Sequence, residues 1–144
     1  MAMNAAIVSP AANPAQPARE QQQAEANREE LAERLARAIR HDGAVEPLEG
    51  VRLRRSSAPT ELGYGVSFPS FCVIAQGSKE LVLGDNTYRY NPAHYLIATT
   101  ALPIASRISE ASAERPYLGF VLNLDPALVG DVIVGCAMPE AEQG

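Results

Sequence analysis

The 144-residue sequence is poor in the residues that build metal centres and disulfide frameworks. It contains two histidines, two cysteines and no tryptophan. A metal site needs clustered histidine, cysteine or carboxylate ligands, and His41 and His94 lie far apart in the chain. The isolated cysteines Cys72 and Cys136 suggest neither a disulfide framework nor a metal-ligand set. We therefore expect no metal, no cofactor and a reducing, cytoplasmic compartment.

Sequence motifs of the common enzyme classes are missing as well. The chain has no G-x-S-x-G, P-loop or G-x-G-x-x-G pattern. Cys72 and His94 are the one cysteine–histidine pair that could meet as nucleophile and base. However, Cys72 lies inside an apolar run and His94 follows a proline turn, which favours structural roles for both. We predict no catalytic residues and no enzymatic activity.

Positive charge and long apolar runs are also scarce. Twelve Lys and Arg residues stand against 17 Asp and Glu residues, so the formal net charge is -5. An anionic protein offers no electrostatic footprint for a phosphate backbone, and we expect no direct DNA binding by this chain. No apolar run approaches the length of a membrane-spanning helix, and the N-terminus lacks a basic signal region. We therefore expect no membrane association.

The chain length suits one folded domain. Residues 1–26, a tract rich in Ala, Pro and Gln, are predicted to form a disordered arm. A helix is predicted over residues 27–40, with Asn27 as its N-cap and Glu30 as the capping-box partner. Residues 27–134 form the predicted domain, and residues 135–144 are predicted to be a tail. Asp125-Pro126 predicts the start of a second, short helix.

Short β-rich runs fill the chain between the two helices. The central stretch, residues 71–96, contains three runs separated by turns at Gly77-Ser78 and Gly84-Asp85. Further strands are predicted at 51–55, 94–99, 104–108 and 117–124, with loops at 43–47 and 56–68. The alternation in residues 51–55 predicts a basic outer face formed by Arg52 and Arg54. The predicted fold is mostly β, a small antiparallel β-barrel with an N-terminal helix and a short C-terminal helix.

A few polar side chains stand among the apolar runs of this predicted barrel. They would suit a small-molecule pocket and would equally suit an ordinary packed core. A register error of one residue would turn each of them to the opposite face. The candidate ligand-binding residues are Gln76, Tyr88, Tyr90, His94 and Tyr117.

An ordered series of short segments carries a family resemblance. The segments are CVIAQGSK (72–79), LGD (83–85), YRY (88–90), PAHYL (92–96), LP (102–103), EAS (110–112), PYL (116–118) and LDP (124–126). Together they resemble the N-terminal domain of a group of AraC-type transcriptional regulators, over most of residues 30–134. The family's Pro-Gly-His turn is altered here, because Ala93 occupies the glycine position.

This resemblance implies a cupin-like, effector-sensing and dimerising domain over residues 27–134. Its partners would be an unknown small-molecule effector and a second subunit, in a homodimer or in a heterodimer with a full-length regulator. In such regulators a following helical half with two helix-turn-helix motifs reads DNA. Because this sequence ends at Gly144, we expect a truncated regulator that lacks that half. A small cupin-like enzyme and an inert truncated fragment are the alternatives.

Overall fold

The computed structural model describes residues 5–8, 18–99 and 101–143 of the chain. Strands alternate with turns through most of these residues, and one helix lies near each end. In chain order the elements are β1 (Ala5–Val8), α1 (Ala18–Ala38), β2 (Gly43–Leu48), β3 (Val51–Ser56), β4 (Gly63–Val66), β5 (Ser70–Gln76), β6 (Ser78–Leu83), β7 (Asn86–Tyr90), β8 (Tyr95–Ala98), β9 (Pro103–Glu110), β10 (Tyr117–Asn123) and α2 (Pro126–Gln143).

The strands form two antiparallel sheets. The larger sheet has the order β1-β8-β5-β10-β3-β2, and the smaller has the order β4-β9-β6-β7. Helix α1 contacts β5 and β10 of the larger sheet. The predicted mostly-β antiparallel fold with an N-terminal and a C-terminal helix is thus confirmed. Among the described residues the two sheets do not close into one barrel, so the predicted barrel is not confirmed.

Two hydrophobic clusters hold three layers together. The first joins α1 to the larger sheet, and its buried members are Leu35, Ile39, Leu53, Ala75 and Leu118. The second lies between the two sheets, and its buried members are Ile74, Leu81, Tyr90, Leu96, Ile108 and Tyr117. The larger sheet is therefore covered on both faces, by the helix on one side and by the smaller sheet on the other.

This layering corrects the predicted direction of the basic face of β3. Leu53 is 4% exposed and packs in the cluster beneath α1. Neighbouring residues of a strand point to opposite faces, and Arg52 lines a cavity between the two sheets. The alternation was predicted correctly, but the arginine face turns towards the second sheet, because the helix covers the apolar face.

The predicted central run of strands is divided between the sheets. β5 and β8 belong to the larger sheet, whereas β6 and β7 belong to the smaller one. Gly77 is the single residue between β5 and β6, and its φ of +88° lies in the region that favours glycine. The predicted Gly84-Asp85 turn is confirmed, since Leu83 pairs with Asn86 across it and Gly84 has a φ of +59°.

Helix α1 begins earlier than predicted. It starts at Ala18, and Asn27 lies inside it, where its Oδ1 accepts a hydrogen bond of 3.1 Å from Gln23 Nε2. The predicted cap at Asn27 is therefore wrong. Residues 18–26 are mostly Ala, Gln, Glu and Arg, which have high helix propensity even without an apolar stripe. The favourable pair Glu30–Arg34 is present at 2.9 Å.

Several segments predicted to lack regular structure are ordered as strand or helix. Residues 5–8 of the predicted arm form β1, which pairs with β8. The predicted loops at 43–47 and 56–68 contain β2 and β4, both exposed strands at sheet edges. Their backbones pair with β3 and β9 without burying an apolar face, so alternation could not reveal them. The predicted tail is wrong too, because α2 continues to Gln143.

Arg55 joins the end of α1 to β3, and its removal should destabilise the fold. Its guanidinium donates hydrogen bonds to the Arg40 carbonyl (3.0 Å) and the Ile39 carbonyl (3.5 Å), and its Nε lies 3.6 Å from Asp42 Oδ1. We expect Arg55→Ala to lower the free energy of unfolding by about 1–3 kcal/mol, the usual worth of hydrogen bonds to a charged group.

Arg37 provides the matched control for Arg55, because its ion pair with Glu33 is exposed and 3.9 Å long. Arg37→Ala should cost no more than about 0.5 kcal/mol. Urea titrations followed by circular dichroism measure both variants. Equal losses in the two variants would contradict the role given to Arg55.

Candidate functional site

The candidate site is a cavity of about 410 Å³ between the two sheets, here called the intersheet cavity. Strands of both sheets and the segment before β5 contribute its lining. The polar lining residues are Arg52, Ser67, Ser70, Cys72, Lys79, Tyr90 and Asn123. The apolar lining residues are Val66, Phe68, Leu81, Leu83, Leu96, Ala98, Ile104 and Val121. An apolar chamber with a few polar groups is the usual make-up of a small-molecule pocket.

Alternation along the strands places this lining. Ser70 and Cys72 are two residues apart on β5, and Lys79, Leu81 and Leu83 follow the same spacing on β6. Such residues share one face of a strand. Since the smaller sheet covers that face of the larger one, both sets meet across the gap.

The polar groups of the cavity sit in a poorly solvated environment. Burial raises the pKa of the Cys72 thiol, an effect that the Ser70 hydroxyl, 3.7 Å from the sulfur, partly opposes. Burial also lowers the pKa of the Lys79 ammonium, and the neighbouring Arg54 guanidinium lowers it further. Desolvation disfavours the charged form of each group. The intersheet space therefore has a lower effective dielectric than the protein surface.

Tyr90 and Tyr117 lie together beside this cavity. They are 2% and 4% exposed and belong to the same hydrophobic cluster. Burial raises the pKa of both hydroxyls, and for Tyr90 the proximity of Tyr117 adds to the effect. The Tyr117 ring lies over Gly119, where an added Cβ would come within 2.5 Å of the tyrosine oxygen. Because Gly119 has no side chain, the Tyr117 ring can lie over it, on the face of β10 that turns towards the smaller sheet.

Of the five predicted ligand-binding residues, Tyr90 lines the intersheet cavity and Tyr117 is its neighbour in the hydrophobic cluster. Gln76 is half-buried and donates a 2.8 Å hydrogen bond from Nε2 to the Pro116 carbonyl. It lines a different depression, next to α1. The structure therefore brings two of the predicted residues together, whereas Gln76 lies outside the intersheet cavity, in the depression next to α1.

The remaining two predicted residues lie outside the intersheet cavity. His94 Nδ1 is 3.0 Å from Asn91 Oδ1, and the same oxygen accepts a 2.9 Å bond from the Ala93 amide. Ala93 has no positive φ, so this turn forms without glycine. Tyr88 is half-buried on β7, opposite Leu81 of β6. Whether any of the five residues binds a ligand stays a prediction.

Sequence reasoning missed the charged residues of the cavity. Arg52 was predicted to lie on an outer face, and Lys79 was not among the five candidate residues. The sequence contains part of this information, because Lys79, Leu81 and Leu83 are spaced two residues apart and therefore share one face of β6. What was missing was the partner sheet, since alternation shows which residues share a face and not what covers that face.

A larger depression of about 800 Å³, here called the outer groove, lies between α1 and the segment before β10. Glutamates and arginines alternate along it, including Glu29, Glu33, Arg28 and Arg115. Most of these side chains are exposed. Mixed charge in a solvated groove gives weak selectivity for any small molecule. We therefore take the intersheet cavity as the candidate site despite its smaller volume.

The described residues were also searched for metal ligands and membrane spans. Within them no three His, Cys, Asp or Glu side chains are close enough together to hold a metal ion. No helix in the described part of the chain has the length and apolar character needed to cross a bilayer.

Buried tyrosine hydroxyls make alkaline stability a test of this geometry. In the unfolded chain tyrosine ionises near pH 10, whereas the folded protein keeps Tyr90 neutral to higher pH. The stability that this contributes is full below pH 10 and is lost as the pH rises above it. Each such tyrosine should remove up to about 1.4 kcal/mol of unfolding free energy per pH unit in that range.

The measurement is urea unfolding between pH 8 and 11 for the wild type, Tyr90→Phe and Tyr64→Phe. Tyr64 is 83% exposed, so its replacement should leave the alkaline slope unchanged. Tyr90→Phe should make the decrease of unfolding free energy with pH less steep, by the amount that one buried tyrosine contributes. Tyr64→Phe retains Tyr90 and every group near it, so a change seen only in Tyr90→Phe comes from Tyr90 and its coupling to Tyr117 and Cys72. An unchanged slope in Tyr90→Phe would show that this hydroxyl is solvated.

The fold is a two-sheet antiparallel β domain with a cavity between its sheets, and comparison with known proteins gives its family. The sequence profile of the AraC-type transcriptional regulator N-terminus matches residues 47–144, more than half of the chain. The protein therefore belongs to this family, which confirms the resemblance seen in the sequence. The match begins within β2 and includes all the strands that line the intersheet cavity. Searches of curated proteins and of solved structures each found no significant match.

Proposed function

We propose that this chain is the effector-sensing and self-associating domain of an AraC-type transcriptional regulator, with no catalytic role. The observation that carries the proposal is the intersheet cavity inside a domain of this family. Its volume of about 410 Å³ falls in the range of small-molecule sites. The contact with DNA would be made by another part of the regulator or by a partner subunit.

A molecule bound in the cavity would contact both buried core residues and exposed surface residues. Leu81 and Leu96 of its lining belong to the buried cluster between the sheets. Val66 and Phe68 also line it, yet they are 56% and 65% exposed. A ligand that binds one arrangement of these outer residues more tightly than another shifts the population towards that arrangement. Such a shift is the mechanism that we propose for sensing.

Helix α2 supports the self-association part of the proposal. Among the described side chains of α2, four large apolar ones are exposed: Leu128, Val132, Ile133 and Val134. Exposed apolar side chains within two turns of one helix form a candidate interaction surface. The proposed partner is a second copy of the chain or a full-length relative.

Native mass spectrometry of the purified protein, incubated with a desalted extract of cell metabolites, tests this proposal. We expect a dimer that carries a small organic adduct. Limited dissociation should release the adduct and allow its mass to be measured. A folded monomer that acquires no adduct would contradict both parts of the proposal, and a dimer without an adduct would contradict the sensory part.

A further inference from the structure

We propose that the intersheet cavity selects a small organic anion, a carboxylate joined to an apolar body, and that Lys79 and Arg52 bind its charged end. This inference rests on the proposed sensory function and adds the chemical class of the effector.

Among the described residues, the charged side chains that line the cavity are both cationic. They are Arg52 and Lys79, and no described Asp or Glu is part of the lining. An adjoining pocket of about 310 Å³ shares Lys79, and its other charged lining residues are Arg54, Arg107 and Glu61. Within the described residues, no carboxylate forms an ion pair with Arg52, Arg54 or Lys79 at 4 Å or less. The protein as a whole has a net charge of -5, so this local excess of positive charge runs against its composition.

Cations that are partly removed from water are costly unless an anion compensates them. Lys79 is such a cation, and its burial between the sheets lowers the pKa of its ammonium group. A bound carboxylate would supply the missing counter-charge in a poorly solvated site, where an ion pair is stronger than at the surface. The planar guanidinium of Arg52 also matches the two oxygens of a carboxylate.

The rest of the lining indicates what the anion would carry. Leu81, Leu83, Leu96 and Ile104 present hydrocarbon from three strands, β6, β8 and β9. A fully hydrophilic anion such as inorganic phosphate would leave this surface uncovered. A carboxylate with an aliphatic or aromatic body would satisfy the cations and bury apolar surface in the same pocket.

Calorimetric titration of the full chain with matched probes tests the inference. The probes are octanoate with octanamide and 3-phenylpropanoate with 3-phenylpropanamide, so that each pair differs chiefly in the negative charge. We expect each carboxylate to bind about tenfold or more tightly than its amide, the effect of a hydrogen bond to a charged group.

Lys79→Met should bring each carboxylate and its amide to within about twofold, because it keeps the side-chain length and removes the charge. Arg52→Gln should also lower the preference, and because Arg52 is exposed its replacement removes no core packing. Arg37→Gln on the exposed face of α1 is the control and should leave the preference unchanged.

Equal affinity of a carboxylate and its amide would overturn the inference while leaving the sensory proposal in place. A preference that survives both Lys79→Met and Arg52→Gln would overturn it in the same way. Binding of none of the four probes, in a protein whose mass spectrum shows an organic adduct, would overturn the anion class alone. No probe binding together with no adduct would overturn both proposals.

Discussion

Replacing Leu118 by alanine is expected to lower the free energy of unfolding by about 2–5 kcal/mol, the range measured for large-to-small changes in packed cores. Leu118 is 1% exposed, on β10, and belongs to the cluster that joins the larger sheet to α1. Its removal would leave a cavity between Leu35 of the helix and Leu53 of the sheet. Since domains of this size are stable by only about 5–15 kcal/mol, the loss is a large fraction of the total.

Leu48 is the matched control for Leu118, because it is the same residue type at 68% exposure on the edge strand β2. Leu48→Ala should change stability by no more than about 0.5 kcal/mol. Urea unfolding gives the free energies, and amide hydrogen exchange should show faster exchange in α1 of Leu118→Ala. A loss below about 1 kcal/mol in Leu118→Ala would contradict the packing of α1 against the sheet.

The second large effect is expected at Gly77, where the chain passes from one sheet to the other. A non-glycine residue at its φ of +88° costs about 1–2 kcal/mol. In addition, an added Cβ would lie 2.6 Å from the Glu110 carbonyl oxygen and 3.1 Å from Tyr117 Cα. These are backbone atoms of β9 and β10, so the strands themselves would have to move. We expect Gly77→Ala to cost about 3 kcal/mol or more.

Gly84→Ala separates the conformational cost of a positive φ from the steric cost of the close backbone approach at Gly77. Gly84 has a φ of +59°, but no atom lies within 4 Å of an added Cβ. Its replacement should therefore cost only the conformational part, about 1 kcal/mol. Thermal unfolding followed by circular dichroism compares the two variants. Equal costs at Gly77 and Gly84 would mean that the close approach of β9 and β10 is absent.

Local signals in the sequence predicted much of the strand pattern. The Gly84-Asp85 turn and the run from 117 to 124 could be predicted because turn chemistry and apolar runs act over a few residues. β2 and β4 could not, because edge strands are held by backbone pairing with β3 and β9 and leave no apolar pattern. The early start of α1 was missed for a related reason, since propensity extends the helix beyond its apolar stripe.

The candidate site was predicted less completely than the strands. Of the five candidate residues Tyr90 lines the intersheet cavity, whereas Arg52 and Lys79, which also line it, were not among the candidates. The role of Arg52 depends on the fact that α1 covers the opposite face of β3, and that contact joins elements far apart in the sequence. The division of residues 71–96 between two sheets likewise depends on the corner at Gly77. Neither fact follows from the local pattern of the strands.

The most direct test of the account asks which cavity an effector occupies. Ala98 is buried and lines the intersheet cavity, whereas Ala36 is exposed in the outer groove. Native mass spectra of the wild type, Ala98→Leu and Ala36→Leu, each with an intact thermal transition, measure the fraction of protein that carries the organic adduct. We expect Ala98→Leu to lose the adduct and Ala36→Leu to keep it. An adduct that survives in Ala98→Leu and disappears in Ala36→Leu would contradict the assignment of the intersheet cavity as the sensory site.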